Sequence, residues 1–267
     1  MSEKKYKWDS SEYEKHSSAQ YRWAKELIAR LNLEGTESVL DVGCGDGKVT
    51  VAIADLLPKG NVVGVDNSKD MINLARKHLP DSKYQNLDFS IMDATCITFE
   101  NQFDVIFSNA ALHWTKNHMG VLAGVKKSLK KSGRLLFQMG GRGNAEDIID
   151  ILHDDLQHRD QWKKFFKDFE FPYGFYGPED YEPWLQQAGL KSIRCELIPK
   201  DMTQKGKEGL AGWIRTTWLP YTQKVPIDLR EKFISELIST YIETFPLDSE
   251  GFVHLGMVRL EVEAVNL

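Results

Sequence analysis

Val39-Leu40-Asp41-Val42-Gly43-Cys44-Gly45-Asp46-Gly47-Lys48-Val49-Thr50 is the stretch that decides the fold. An apolar run gives way to glycines at 43, 45 and 47, and then to a segment of helical character. That order reads as strand, tight turn and helix start. Glycine permits such a turn and lets a ligand approach the backbone closely. Three ligand classes compete for it. A Walker A loop needs G-x-x-x-x-G-K-[ST], but Val49 follows Lys48 and a valine occupies position 42, so the match fails twice. A dinucleotide fingerprint needs G-x-G-x-x-G, and here the third glycine falls at 47 rather than 48. What remains is Asp-x-Gly-x-Gly-x-Gly, with a carboxylate just before the turn. A carboxylate there suits a cationic ligand and repels a pyrophosphate, which wants helix N-terminal N–H groups.

Working outward, Ser38-Val39-Leu40-Asp41-Val42, residues 61–66, residues 103–107 and residues 134–138 are apolar runs bounded by Gly, Asp or Asn. They lack in/out alternation, as strands do when helices cover both faces of a sheet. Helical stretches lie between them at about 48–57, 69–79 and 117–131, and a further strand fits Phe89 to Met92. Strand alternating with helix predicts an α/β fold, a doubly wound, mostly parallel seven-stranded sheet with ligands at the carboxyl ends of its strands. The second half differs. Residues 145–170 read as helices ending in an aromatic cluster, and Gly177-Pro178 opens another helix that stops at Gly189. Strands fit Lys191 to Ile198 and about 252–265, with helical segments near 209–218 and 228–244 between them. A connection that long is no hairpin loop. We therefore expect one domain over 1–267, with a core of about 36–141, 178–200 and 251–267, a helical lid of about 142–177 and a helical cap of about 201–250.

Composition narrows the partners. The 267 residues are 42% hydrophobic and 27% charged, the balance of a soluble globular chain. Net charge is −5, against the basic excess by which nucleic-acid binders neutralise phosphates. The basic run Lys126-Lys127-Ser128-Leu129-Lys130-Lys131 reads as a solvated helix face. Cys44, Cys96 and Cys195 lie far apart, with no metal-ligand spacing and no disulfide framework. No apolar run approaches the ~18 residues of a membrane helix. The charged opening Met1-Ser2-Glu3-Lys4-Lys5 lacks the apolar stretch of a signal peptide, so a cytoplasmic protein is expected.

Three further strand ends carry polar residues. Asp66 closes the second strand, where an acid can accept both hydroxyl hydrogens of a ribose diol. Ser68 fits the competing role of cap for the helix that follows. Asp93-Ala94 follows the third strand, and Asn109 closes the fourth in Asn109-Ala110-Ala111-Leu112-His113-Trp114. With the glycine turn, this set resembles the class I S-adenosylmethionine-dependent methyltransferases, over about 38–140 and weakly across the whole chain. The resemblance implies that Tyr13, His16, Asp41, Gly43, Cys44, Gly45, Asp66, Asn67, Met71, Asp93, Ala94 and Asn109 contact that cofactor. Within it, Asp66 takes the ribose, Asp93-Ala94 the adenine, and Asn109 faces the methionine moiety.

The acceptor is a separate question. Nucleic-acid amino-methylating enzymes carry [DN]-P-P-[YF] at the fourth strand end, and protein arginine methyltransferases carry paired glutamates near it; neither pattern is present in 108–118. The whole-chain plan resembles the small carboxylic-acid O-methyltransferases of the trans-aconitate and juvenile-hormone-acid type. That resemblance implies acceptor contacts from Gln20, which shares a helical stripe with Ala24, Leu27 and Leu31, and from Trp114. His16 and His113 are the available bases should the acceptor be a phenol, an amine or a carbon. The cap adds Trp213, Arg215, Trp218 and Tyr221 as candidate substrate contacts. It lacks the T-x-L-R-P stretch of trans-aconitate enzymes, for which Arg215 or Lys224 could substitute. A non-catalytic cofactor-binding partner subunit is the remaining alternative.

Overall fold

The computed structural model describes residues 18–79 and 84–267, with side chains in the first helix from Trp23 onward. The described chain packs as two compact units. The first comprises Gln20–Arg142, Tyr173–Ile198 and Val258–Leu267; the second comprises residues 18–19 with Gly143–Pro172 and Pro199–Met257.

The first unit holds the sheet. Its strands are β1 (Ser38–Val42), β2 (Asn61–Asp66), β3 (Leu87–Ile91), β4 (Phe103–Asn109), β5 (Leu129–Gly140), β6 (Lys191–Lys205) and β7 (Phe252–Val265), the last two running on through both units. Their order is β3-β2-β1-β4-β5-β7-β6. β1 through β5 pair in parallel, and β7 pairs antiparallel to β5, with Arg134 opposite Val265 and Gly140 opposite Arg259. The order reverses at β1, so the crevice beside its carboxyl end is the topological switch point of the sheet.

Both faces are covered, as the unbroken apolar strands predict. Leu27 and Ile28 of α1 (Ser18–Ala29), Leu31 just after it, and Ile53 and Ala54 of α2 (Lys48–Ala54) pack on Val39, Val105, Phe107 and Leu136. On the opposite face, α4 (His118–Ser128) supplies Val121, Leu122 and Val125, packed on Leu40, Ile106, Leu135 and Phe137. Successive strand residues thus point to opposite cores, and both are buried. α3 (Lys69–His78) adds Ile72 and Ala75, which pack on Phe89.

Several boundaries depart from the sequence expectation. The helix expected to 131 ends at Ser128, whose hydroxyl bonds back to the carbonyls of Gly124 and Phe99. Leu129 is buried opposite Phe103 and already belongs to β5, so Lys130 and Lys131 lie on a strand; Lys130 pairs with Asp104 at 2.8 Å. Residues 173–177, at the end of the expected lid, group with the sheet unit. Gly174 donates its N–H to His113 O at 2.9 Å, and Tyr176 bridges to Gly141. The helix at 177–189 forms as expected: α6 (Pro178–Gln187) stops at Gly189, whose φ of 73° lets Leu190 N–H reach back to Leu185 O.

The second unit is helical and aromatic. It holds α5 (Glu146–Asp150), which tightens and widens through irregular turns to 158, then α7 (Gly206–Thr217), α8 (Leu219–Thr222) and α9 (Arg230–Thr244). Trp162 and Phe166 lie 5.3 and 5.5 Å from the ring of Phe233, and Trp162 donates its indole N–H to Glu236.

Candidate cofactor and acceptor site

The site grows from the glycine turn. Gly43 and Cys44 both donate N–H groups to Val65 O, at 2.7 and 3.0 Å, which ties the turn to the end of β2. Gly43 has φ 78°, and a Cβ there would stand 2.1 Å from the Ala111 Cβ. The turn thus presses against the residues leaving β4, which only glycine allows. Gly45 is the opposite case: its φ is 55°, and no atom lies within 4 Å of where a Cβ would sit. Its missing side chain leaves open space over the turn rather than room for packing.

Asp66 stands beside that space. Its Oδ2 accepts from Gly45 N at 3.1 Å and its Oδ1 from Ser68 N at 2.8 Å. A carboxylate has about four lone-pair sites, so one remains on each oxygen. Burial raises its pKa, and the two N–H groups act in the opposite direction. Ser68 caps α3 through Met71 N, leaving Asp66 free of that duty; Met71 is buried and Asn67 exposed.

Asp41 is bonded within the fold. It is buried, accepts from Thr50 Oγ1 at 2.7 Å, and burial pushes its carboxyl up to about 7. Its visible task is to pin β1 to α2. Cys44 is buried as well, and burial first, then the nearby Asp41 and Asp66, push its thiol well above the ordinary range. Asp93 accepts from Thr95 N and Thr95 Oγ1 through one oxygen, capping a short turn that contains Ala94. Its other oxygen takes no bond from the described residues.

At the end of β4, Asn109 Oδ1 is buried without a hydrogen-bond partner among the described residues. Ala110, with φ 54°, then turns the chain back, and its N–H bonds to Gln138 O. His113 and Trp114 follow on a short 3₁₀ turn. His113 Nδ1 accepts from Gly140 N at 3.3 Å, and burial holds the ring down at about 3, with the Arg259 charge second. Trp114 stands edge-on to Tyr173, centroids 5.1 Å apart, and Tyr173 stacks on Phe175 at the same distance. Thus Gly45 is tied directly to Asp66 and Gly43 to the preceding Val65, with Asn109, His113 and Trp114 at the end of β4.

The remaining expected residues are described each within its own unit. Tyr13 and His16 fall outside the described residues, and of Gln20 only the backbone, in α1, is described. Trp213, Trp218 and Tyr221 are buried in the second unit, where Trp218 is 5.7 Å from Trp213 and 5.5 Å from Tyr221. The Tyr221 hydroxyl bonds His153 Nε2 at 2.8 Å. Arg215 is forked onto Glu231. Two residues escaped the sequence reading. Ala111 matters because it meets Gly43, a contact signalled only by the small pair Ala110-Ala111. Arg259 left no signal, because its burial is set by the β5–β7 register.

Open space above a glycine turn, an acid with spare lone pairs at the next strand end and a buried unsatisfied amide oxygen define a class: an α/β protein that binds a ribose-bearing, cationic ligand at its switch point. A methyltransferase domain model matches residues 33–189, more than half of the chain. A Schizosaccharomyces pombe methyltransferase, C70.08c, is 34% identical over 197 residues, covering 72% of this chain and 74% of its own. The trans-aconitate 2-methyltransferase of Streptomyces avermitilis is 29% identical over 251 residues, 92% of each chain. Phosphoethanolamine N-methyltransferase 2 of Haemonchus contortus, solved with S-adenosyl-L-methionine, superposes with a TM-score of 0.59 at 19% identity, over 96% of this chain and 56% of that one. The chain belongs to the methyltransferase domain family. Its cofactor is S-adenosylmethionine, and the residues at the switch point fit it.

Proposed function

We propose that this methyltransferase acts on a carboxylate oxygen of a small organic acid. S-adenosylmethionine, when bound, supplies an electrophilic methyl group. The protein's task is then to hold an acceptor lone pair in line with it, and to remove a proton only if the acceptor carries one. A carboxylate at neutral pH carries none. The observation behind this assignment is the state of the histidines near the end of β4. His113 is buried, its Nδ1 is filled by Gly140 N–H, and its pKa lies at about 3. His118 donates Nε2–H to Thr115 O at 3.0 Å, accepts from the Tyr181 hydroxyl at Nδ1, and is held by burial at about 4. Neither is built to take a proton near pH 7. Support also comes from the whole-length likeness to trans-aconitate 2-methyltransferases.

In this proposal Gly45 and Asp66 hold the cofactor, Asn109 Oδ1 accepts from its amino acid end, and Gln20 and Trp114 orient the acceptor with N–H groups. Initial rates on carboxylic acids and on matched phenols and amines test it. We expect turnover of acids only, with a rate flat between pH 6 and 8. A rate rising through the histidine range would instead indicate a base and a protonated acceptor. Gln20→Ala is expected to lower turnover with cofactor affinity intact; a folded variant of full activity would remove Gln20 from the acceptor site.

A further inference from the structure

We propose that the outer edge of β6 pairs with the same edge of a second copy of this chain, antiparallel and centred on Cys195. The two seven-stranded sheets then join into one across a two-fold axis.

β6 is last in the sheet order, so no strand among the described residues takes its outer side. Such an edge presents a row of N–H and C=O groups ready to pair with another strand. The part of β6 in the sheet unit ends at Ile198, and Pro199 follows. Proline has no N–H to give a ladder, so pairing stops there. Within this stretch Ile193 is 58% exposed, a large apolar side chain left in water. Beside it runs a groove of about 610 Å³, lined by Glu182 and Gln186 of α6 and by residues 190–196. α6 turns Tyr181 and Leu185 into the core and leaves this side of β6 open.

The order of residues along the edge selects both partner and register. Opposed residues of an antiparallel pair share a face, so a two-fold axis sets one residue against its own copy. With the axis at 194 or 196, Arg194 meets Arg194 or Glu196 meets Glu196. At 197, Arg194 meets Lys200, and at 193 it meets only Ser192. At 195, Arg194 of each copy opposes Glu196 of the other, and Ile193 opposes Leu197. Opposite charges and apolar pairs stabilise a ladder, and like charges directly opposed destabilise it.

The side chains are placed for this. Arg194 is held by Glu261 at 2.5 Å and lies 3.1 Å from its own Glu196, so guanidinium and carboxylate share one face. Two arginines and two glutamates then alternate around the axis. Each contact is made twice, as in any interface that uses one patch on both subunits. The same strand, reversed, supplies both charges and the apolar pair at the required spacing, which favours a second copy over an unrelated segment.

The test is sedimentation equilibrium of the full chain, from micromolar to near-millimolar concentration. The wild type is expected to show a monomer–dimer equilibrium. Glu196→Arg opposes like charges on both sides of the axis and should weaken dimerisation by about tenfold. Ile193→Lys changes an exposed residue, so its fold is safe, and should also weaken the dimer. Lys191→Glu lies outside the paired stretch 192–198 and should act far less. Calorimetric affinity for S-adenosylmethionine is expected to stay at the wild-type value in all three, which certifies their folds. A wild type that stays monomeric throughout would overturn the proposal, whatever other protein takes this edge. So would a dimer indifferent to both Glu196→Arg and Ile193→Lys, or one that Lys191→Glu disrupts as strongly.

Discussion

Gly43 and Gly45 are two residues apart and both have positive φ, yet they answer to different demands. Gly43→Ala brings a Cβ to 2.1 Å from Ala111 and adds left-handed strain, so a loss of about 2–5 kcal/mol is expected in urea unfolding. Gly45→Ala meets no protein atom within 4 Å and should cost only the strain, about 1–2 kcal/mol, while abolishing most cofactor binding by filling the open space. Equal effects of the two variants on both readouts would refute the distinction. Asp66→Ala is expected to weaken S-adenosylmethionine by about 1–3 kcal/mol, since charge-assisted hydrogen bonds are lost. Unchanged affinity by calorimetry would remove Asp66 from the site.

Among the elements, α3 shows how local chemistry sets a boundary. Ser68 accepts from Met71 N, so Ser68→Ala should cost about 1 kcal/mol of stability and leave cofactor affinity nearly unchanged. The strand–turn–helix at 39–50 was legible in sequence because apolar run, glycines and helix follow one another within a dozen residues. The start of β5 was not. Leu129-Lys130-Lys131 continues a helical pattern, and only pairing of Leu129 with Phe103 turns it into strand. The same holds for sites. Asp66 and Asn109 were visible as strand-end residues, whereas Asp41 faces Thr50, a contact that depends on how α2 folds back. Arg259, flanked by Val258 and Leu260, reads as the solvent side of an alternating strand until β5 buries it. Trp213, Trp218 and Tyr221 were picked as aromatics, and sequence does not say whether an aromatic faces a ligand or another ring.

For the whole molecule, buried titratable groups shape stability against pH. His113 and His118 bind protons more weakly folded than unfolded, with folded values of about 3 and 4. Between those values and the ordinary 6.5 the unfolded chain takes up more protons, so stability falls as pH falls through that window. Asp41 acts in the opposite sense. Its folded carboxyl keeps the proton to about 7 while the unfolded one releases it near 3.8, so its burial costs stability as pH rises between them. Asp41→Asn should therefore gain on the wild type by on the order of 1–3 kcal/mol between pH 4 and pH 8, measured by urea unfolding. A difference that stays constant with pH would contradict the shifted carboxyl.

The strand order has a consequence for synthesis. β7, the last strand along the chain, is not at an edge; it lies between β5 and β6. While the ribosome is still adding residues, β1 to β5 can pair among themselves, but β5 keeps an open flank and β6 has no neighbour to join. Both carry unpaired backbone groups until residues 252–265 emerge, the condition in which nascent chains recruit chaperones or pair with the wrong strand.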